Sequence, residues 1–309
     1  MSQIECYEPE FVRQYLKQHP ESTRFPLSIN WQHETRLSLL LDNTACCEAV
    51  LGSPQVFALH VEKVEAGKDL PVLPEAMQVL NQAALDIVTL ADISVELRLY
   101  ALGVLLSLAQ KSPADTPALK LMPSQLAAHA ATGTLQEMFA QLPPLALAQR
   151  QLISRLGGFS LEWDNLVDCP RKMSLPLQVS LLALHDSNSE ALIQQQLADT
   201  WEKQAPQAFA DKPWMLTNYL VYRLYHDTFP QHTSLSIMEN FLGLVSDYFL
   251  LRTLFSLWML DGTSLTHEQI ISLFSLFENW RHTHPHEHET LMQPPLGDGL
   301  LSAFSLLAR

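Results

Sequence analysis

The chain has 309 residues, 47% of them hydrophobic and 17% charged, with a mean hydropathy of +0.03, which is typical of a folded protein with a substantial core. Its formal net charge is −14 and its lysines and arginines are scattered, so it would repel phosphate backbones, which excludes a general nucleic-acid binder. An acidic chain whose first residues lack a basic and apolar leader is expected in the cytoplasm.

The first half of the chain is predicted to be mostly helical. Glycine is scarce, and abundant leucine, alanine and glutamine favour helix over sheet. Val95–Gln110 carries apolar residues at helical spacing and is followed by Pro113, while Pro74–Thr89 is predicted to be its helical neighbour. Lys111–Ala118 is predicted to be a loop, and only Val56–Val64, with its partial alternation, is predicted to be a strand.

A boundary between two halves is predicted between Gly157-Gly158 and Pro170. Leu142–Ala148, which contains Pro143-Pro144, is predicted to start the last helix before this boundary. The predicted fold class is all-α, a multi-helix array. The array is predicted to have an N-terminal helical region over residues 1–158 and a C-terminal helical region over residues 171–309. The two regions form either two packed halves or one continuous array.

Three helices are predicted between the boundary and residue 227. Leu177–His185 is short and mostly apolar. Ser187–Trp201 opens with a Ser-x-x-Glu capping box and is expected to stop before Pro206. Asp211–Asp227 carries a proline in its first turn, where a missing N–H is tolerated, and Phe229-Pro230 ends it.

Ile237–Leu260 and Thr266–Arg281 are predicted to form a helical hairpin. Thr266 can cap its helix reciprocally with Gln269, and Leu265 before the cap can pack on the first turn. One face of the first helix is predicted to point inward, against two phenylalanines of the second. The residues concerned are Phe241, Leu244, Tyr248, Leu251, Phe255 and Trp258, facing Phe274 and Phe277.

The first helix of this hairpin is also about long enough to cross a membrane. However, Glu239, Asp247 and Arg252 interrupt it, and each would cost roughly 2.5–3.5 kcal/mol near the centre of a bilayer. The longest run without a charge, Thr253–Leu260, is too short to span. The segment is therefore predicted to be a core helix, and no membrane partner is expected.

Two sets of side chains could in principle bind metal. Cys6, Cys46, Cys47 and Cys169 lack the spacing of a metal site or a disulfide framework, and the adjacent pair is expected to be buried on a helix. The alternating histidines near the end of the chain would project to one side of an extended backbone and could hold zinc or nickel. They are His282, His284, His286 and His288. The alternative is a solvated tail after a helix.

A cluster of aromatic and polar residues lies between residues 214 and 225. Tyr219, Tyr222 and Tyr225 recur every three residues, so they lie within reach of one another on one helix. One interpretation is core packing in which the hydroxyl groups find partners. The other is a peptide-contacting surface to which Asn218 and Arg223 add polar contacts. The residues predicted to bind a partner are Trp214, Asn218, Tyr219, Tyr222 and Arg223.

Several features after Pro176 together resemble one protein family. They are Trp214, the Asn218-Tyr219-Leu220 run, Phe229-Pro230, the apolar helix through Tyr248, and an amphipathic helix ending in an aromatic and His-rich tail. This pattern resembles the C-terminal helical region of the bacterial flagellin lysine-N-methylases. A weaker similarity covers Glu8–Val12 and Ser38–Leu51.

The resemblance implies a protein that methylates lysines of flagellin with S-adenosylmethionine as methyl donor. Family members carry a cysteine-rich segment, thought to hold an iron–sulfur cluster, in the interval that corresponds to Tyr15–Thr35. That interval has no cysteine here, so no iron–sulfur cluster is expected in this chain. The sequence also lacks a glycine-rich turn of the usual kind for the donor. The alternative is a non-catalytic helical module or adaptor that binds flagellin or another protein.

Overall fold

The computed structural model describes residues 3–21, 26–67, 69–112, 115–143, 145–166, 169–184, 187–231, 235–295 and 297–308. Pro113, Pro144 and His185, named in the predictions above, lie outside these residues, as do the side chains of Ser187 and Cys169.

The fold is predominantly helical, with about 65% of the chain in helices, so the prediction of an all-α multi-helix array is confirmed. The α-helices of the described residues are α1 (Glu10–Gln18), α2 (Thr44–Leu51), α3 (Glu75–Val88), α4 (Val95–Lys111), α5 (Thr116–Ala131), α6 (Thr134–Ala140), α7 (Ala146–Leu156), α8 (Cys169–Leu182), α9 (Ser187–Ala208), α10 (Met215–His226), α11 (Ile237–Met259), α12 (His267–Thr283), α13 (Pro285–Glu289) and α14 (Gly299–Leu307). Short 3-10 turns cover Trp163–Asn165 and Thr290–Met292.

A small sheet near the amino terminus accompanies the helices. Its strands are β1 (Gln3–Pro9), β2 (Leu27–Asn30), β3 (Glu34–Ser38) and β4 (Leu59–Glu65), in the order β2-β3-β1-β4. β1 runs parallel to β3, with Glu5 opposite Glu34, and antiparallel to β4, with Glu5 opposite Lys63. The predicted strand near Val56–Val64 is confirmed as β4. The other strands were not predicted, because their pairing joins distant segments with weak alternation.

The helical hairpin has the predicted capping. Thr266 Oγ1 accepts a hydrogen bond from the Gln269 backbone N–H, and the Gln269 side chain accepts one from the Thr266 backbone. Ser236 and Glu239 make the same reciprocal pair at the start of α11, which was not predicted. Several boundaries were wrong. α9 continues past Pro206 to Ala208, and the helix predicted from residue 177 begins at Cys169. The helix predicted from Asp211 begins only at Met215, and the loop predicted over Lys111–Ala118 overlaps the start of α5 at Thr116. Tertiary packing overrides local propensity at such ends.

Helix α11 lies at the centre of the core. Every residue predicted to face inward on it, from Phe241 to Trp258, is at most 2% exposed, and Phe274 and Phe277 on α12 are fully buried. In the described part of the chain, α11 is the one helix long and apolar enough to cross a membrane. However, 94% of its most apolar 18-residue stretch is buried inside the protein. It is a core helix, as predicted. The buried core runs continuously from Phe11 to Leu307. The division into two halves stays a prediction.

Candidate functional site

Two side chains at the start of α10, those of Trp214 just before the helix and Asn218 within it, bind the end of α2. Trp214 Nε1 donates to the Leu51 carbonyl oxygen at 3.1 Å. Asn218 Nδ2 donates to the carbonyl oxygens of Val50 and Ser53, at 3.1 and 2.8 Å. Carbonyl groups at a helix C-terminus lack partners within the helix, so these side chains satisfy groups that would otherwise be left unpaired.

The tyrosines of α10 direct their hydroxyl groups into the core. Tyr222 Oη donates to the Leu39 carbonyl oxygen at 2.8 Å, and Tyr219 Oη donates to Glu278 Oε1 at 2.6 Å. Burial, reinforced by the negative charge of Glu278, raises the pKa of both phenols well above the ordinary value. Both groups therefore stay protonated and act as hydrogen-bond donors.

The residues predicted to contact a partner are not presented as a surface. Asn218, Tyr219, Tyr222 and Arg223 are all buried, and only Trp214 is partly exposed. Each has a hydrogen-bond partner inside the protein. Core packing with satisfied polar groups, the alternative interpretation of the sequence, is the arrangement observed.

Arg223 is at the centre of a buried ionic network. Its Nη1 donates to Asp247 Oδ2 at 2.6 Å and to Tyr219 Oη at 2.9 Å, and its Nε donates to Asp227 Oδ2 at 3.0 Å. Asp247 is fully buried on α11, where it also accepts a hydrogen bond from His288 Nε2 at 2.8 Å if that nitrogen is protonated. The network thus joins α10, α11 and α13.

Helix α12 supplies the other half of the network. Arg281 Nε donates to Glu278 Oε2 at 2.9 Å, and Arg281 Nη1 lies 3.7 Å from Asp227 Oδ2. His282 Nε2 lies 3.5 Å from the same oxygen of Glu278, which is fully buried. Since Tyr219 donates to the other oxygen of Glu278, both oxygens of this carboxylate have partners.

The network holds ionised groups at neutral pH. Burial tends to raise the pKa of Glu278, but Arg281, His282 and Arg223 outweigh it, and the pKa lies well below the ordinary value. Burial likewise opposes ionisation of Asp247, and its neighbours His288 and Arg223 again hold the pKa down. The network contains three carboxylates and two guanidinium groups. The carboxylates belong to Asp227, Asp247 and Glu278, and the guanidinium groups to Arg223 and Arg281.

A cleft of about 330 Å³ opens onto this network. Its lining includes two guanidinium groups, two imidazoles, carboxylates and amides, together with five apolar residues. The lining residues are Arg223, Asp227, Phe229, Pro230, Gln231, Asn240, Leu244, Arg281, His282, Pro285, His288, Glu289 and Met292. Concave sites with converging polar groups are the usual places for ligand binding.

The segment Asp227–Gln231 forms one side of the cleft in an unusual backbone conformation. Thr228 has a φ of 48°, which is rare for a β-branched residue. Gln231 Oε1 is buried without a hydrogen-bond partner among the described residues. Backbone strain and unsatisfied polar atoms are costly and tend to occur where a protein binds or reacts.

The histidines predicted as possible metal ligands do not converge. α13 is helical where extended backbone was expected, so alternate residues point in different directions. His288 is buried against Asp247, His282 lies beside Glu278, and the side chain of His286 is 96% exposed. His288 is buried, so it does not belong to a solvated tail. No group of three or more His, Cys, Asp or Glu side chains suited to a metal occurs in the described residues.

The described cysteines do not fit an iron–sulfur cluster, which needs several thiolates close together. Cys46 and Cys47 are buried on α2, as predicted, whereas Cys6 lies on β1. Cys47 Sγ donates to the Leu41 carbonyl oxygen at 3.6 Å, and burial raises the pKa of this thiol well above its ordinary value. A thiol held protonated in this way is a poor ligand.

The sequence analysis did not identify the cleft. It named several of the lining residues for other reasons: Arg223, Phe229, Pro230, Leu244, His282 and His288. It used Asp247, a member of the buried network, only to argue against a membrane span. A signal was present, because a carboxylate within an apolar core helix requires a buried partner. The spacing of Arg223 and Asp227, four residues apart at the end of α10, was a second signal.

Comparison with known proteins shows which family the chain belongs to. Residues 81–295 match the FliB lysine N-methylase C-terminal domain, and every residue that lines the cleft falls inside the matched range. The chain therefore belongs to this family, and the resemblance seen in the sequence is confirmed.

Two curated relatives carry the name lysine-N-methylase. They come from Salmonella choleraesuis and Salmonella typhimurium, and each is 22% identical over 242 residues, covering 72% of this chain and 58% of the relative. The chain thus spans somewhat more than half the length of these relatives. No solved structure matches the chain.

Proposed function

We propose that this protein binds flagellin through its family region and that the chain by itself does not transfer a methyl group. Membership of the lysine-N-methylase family supports a protein partner. The acidic chain fits a cytoplasmic location for this interaction. The observation that carries the proposal is the polar cleft, which lies within the family region.

The cleft offers a partner side chain both acidic and basic groups. Its lining includes the carboxylates of Asp227 and Glu289 beside the guanidinium groups of Arg223 and Arg281. Gln231 Oε1, which has no hydrogen-bond partner among the described residues, can accept a hydrogen bond from a lysine ammonium group.

The non-catalytic half of the proposal is supported by the thiols and strand ends of the described residues. Their thiols do not fit an iron–sulfur cluster, and no glycine-rich turn follows any of their strands to approach S-adenosylmethionine closely. Binding needs a complementary surface and a few anchor residues. Catalysis needs, in addition, every residue that contacts and positions the reacting group. If the chain is active, S-adenosylmethionine is the methyl donor that the family resemblance implies.

The test is to immobilise the purified chain, pass purified flagellin over it with S-adenosylmethionine under anaerobic reducing conditions, and analyse the flagellin by mass spectrometry. We expect flagellin to be retained and its lysines to stay unmethylated. Methyl-lysine formed with this chain as sole catalyst would overturn the non-catalytic half of the proposal. Failure to retain flagellin would overturn the binding half and favour a different protein partner.

A further inference from the structure

A second concave surface lies away from the cleft, alongside helix α9. It is a groove of about 760 Å³, larger than the cleft, and it is bordered by α9, the start of α4, the middle of α11 and the end of α14. Its lining contains none of the residues that line the cleft. The sequence analysis did not single it out.

The groove has an aromatic and aliphatic lining. Trp201, Phe139, Phe209 and Leu216 contribute side chains to it. The ring of Trp201 stacks on Phe255 with the centroids 6.4 Å apart and lies 6.0 Å from the ring of Phe209. Trp201 is only partly buried, so a rigidly held aromatic face remains available in the groove. Such faces act as anchors for apolar side chains of a partner.

The charged residues of the groove are mainly acidic. Glu96, Asp199 and Glu202 line it, and Arg252 is the one basic residue in its described lining. Arg252 Nη1 lies 3.7 Å from Glu96 Oε1, and that oxygen also accepts a hydrogen bond from Tyr248 at 2.6 Å.

The acidic side chains at the edge of the groove are accessible. The side chain of Asp199 is 47% exposed; it accepts a hydrogen bond from Gln195 and lies 3.7 Å from Lys203, which does not line the groove. Glu202 is also exposed. The groove therefore combines an apolar interior with a negatively charged edge.

We propose that this groove docks a segment of a partner protein that carries apolar side chains together with lysine or arginine. The apolar side chains would cover the aromatic face, and the basic ones would meet Asp199 and Glu202. A second copy of this chain, with its charge of −14, would bring like charges together. The inference rests on the proposed function only in taking the partner to be a protein, and it needs no catalysis.

The first test uses a short fluorescent peptide of leucine, serine and lysine, and the same peptide with acetylated lysines. The groove variant combines Asp199→Asn with Glu202→Gln. The matched control combines Glu62→Gln with Glu65→Gln on β4, where both side chains are exposed and outside the groove. Thermal melting of both variants verifies that they are folded.

We expect the lysine peptide to bind the wild type and the β4 variant equally, and the groove variant about tenfold more weakly at low salt. The acetylated peptide should bind all of them weakly. Equal binding of the lysine peptide to the groove variant and the wild type would overturn the inference, as would failure of the wild type to bind it.

Repeating the titration with flagellin separates this inference from the proposed function. If flagellin binds the wild type and the groove variant equally, the groove is not the docking surface, although the proposed partner stands. If the lysine peptide binds at the groove and flagellin does not bind at all, the docking surface stands and the proposed partner is wrong.

Discussion

Arg223 shows at the scale of single residues how this protein uses buried charge. Three of its neighbours, Asp227, Asp247 and Tyr219, come within 3.0 Å of its guanidinium group. Burial opposes its charge, yet these neighbours raise its pKa well above the ordinary value. A pair of this kind gives little net stability compared with apolar packing, but losing one member leaves an unpaired buried charge.

Replacing Asp247 should therefore be severely destabilising. Asp247→Asn keeps the shape of the side chain but removes the charge that faces Arg223 and His288. We expect the free energy of unfolding, measured by urea denaturation, to fall by roughly 3–5 kcal/mol. The matched control is Asp86→Asn, at an exposed position on α3, where the change should stay within about 0.5 kcal/mol. Equal effects of the two substitutions would contradict the network described above.

His226 gives the stability a defined dependence on pH. Burial, reinforced by the positive charge of Arg281 and by His282, lowers the pKa of this imidazole to about 4 in the folded protein. The unfolded chain takes up a proton near pH 6.5, whereas the folded protein does so only near pH 4. Above pH 6.5 His226 is neutral in both states and does not reduce the free energy of unfolding. This free energy falls as the pH decreases from 6.5 to 4, because the unfolded chain binds a proton that the folded protein does not.

The expected contribution of His226 is a loss of up to about 1.4 kcal/mol per pH unit between pH 6.5 and 4. The midpoint of urea unfolding is measured at several pH values in this range for the wild type and for His226→Gln. His286→Gln, at an exposed position, is the control. The slope should flatten only in His226→Gln. If that variant keeps the slope of the wild type, His226 is not held neutral by the fold.

At the scale of elements, the α11–α12 hairpin is the part of the fold that local sequence determines most fully. Thr266 and Gln269 cap α12 as predicted, and Ser236 with Glu239 could have been recognised at α11 in the same way. Strands β1 to β3 could not be recognised so easily, since β1 gains its hydrogen bonds from partners far along the chain.

The cleft could not be predicted from the sequence for the same reason: its polar groups come from segments far apart in the chain. Arg223 and Asp247 are separated by 24 residues, and Tyr219 and Glu278 by 59. Local periodicity places Tyr219 and Arg223 on a helix but does not say which charge each will meet. The extended backbone expected near the histidines is replaced by a helix for a local reason: Pro285 begins α13, and proline is well suited to a first helical position.

The packing of α11 against α12 can be measured at Phe255. This side chain is fully buried, and its ring meets the rings of Phe274 and Phe209 edge to face at 5.3 and 5.5 Å. Phe255→Ala should lower the free energy of unfolding by roughly 3–5 kcal/mol, because it removes a large apolar group and leaves a cavity. Met173→Ala, at a position that is 76% exposed, should change it by less than about 0.5 kcal/mol. A small loss at Phe255 would mean that this face of α11 is not packed as described.

For the whole molecule, the chain belongs to a lysine-N-methylase family, and its described residues contain no group of three or more metal-ligating side chains. The matched region contains the core helix α11, the ionic network and the cleft. The interval Tyr15–Thr35 has no cysteine, and α2 keeps its two thiols buried. A scaffold can persist while the chemistry is lost or supplied by another chain.

The most direct test of this account is a reconstitution experiment. The purified chain is incubated anaerobically with iron, sulfide and reductant, desalted, analysed for bound iron, and then mixed with flagellin and S-adenosylmethionine. We expect a colourless protein without stoichiometric iron, which retains flagellin and leaves the mass of the flagellin unchanged. A brown, iron-containing protein that adds methyl groups to flagellin lysines would contradict the account.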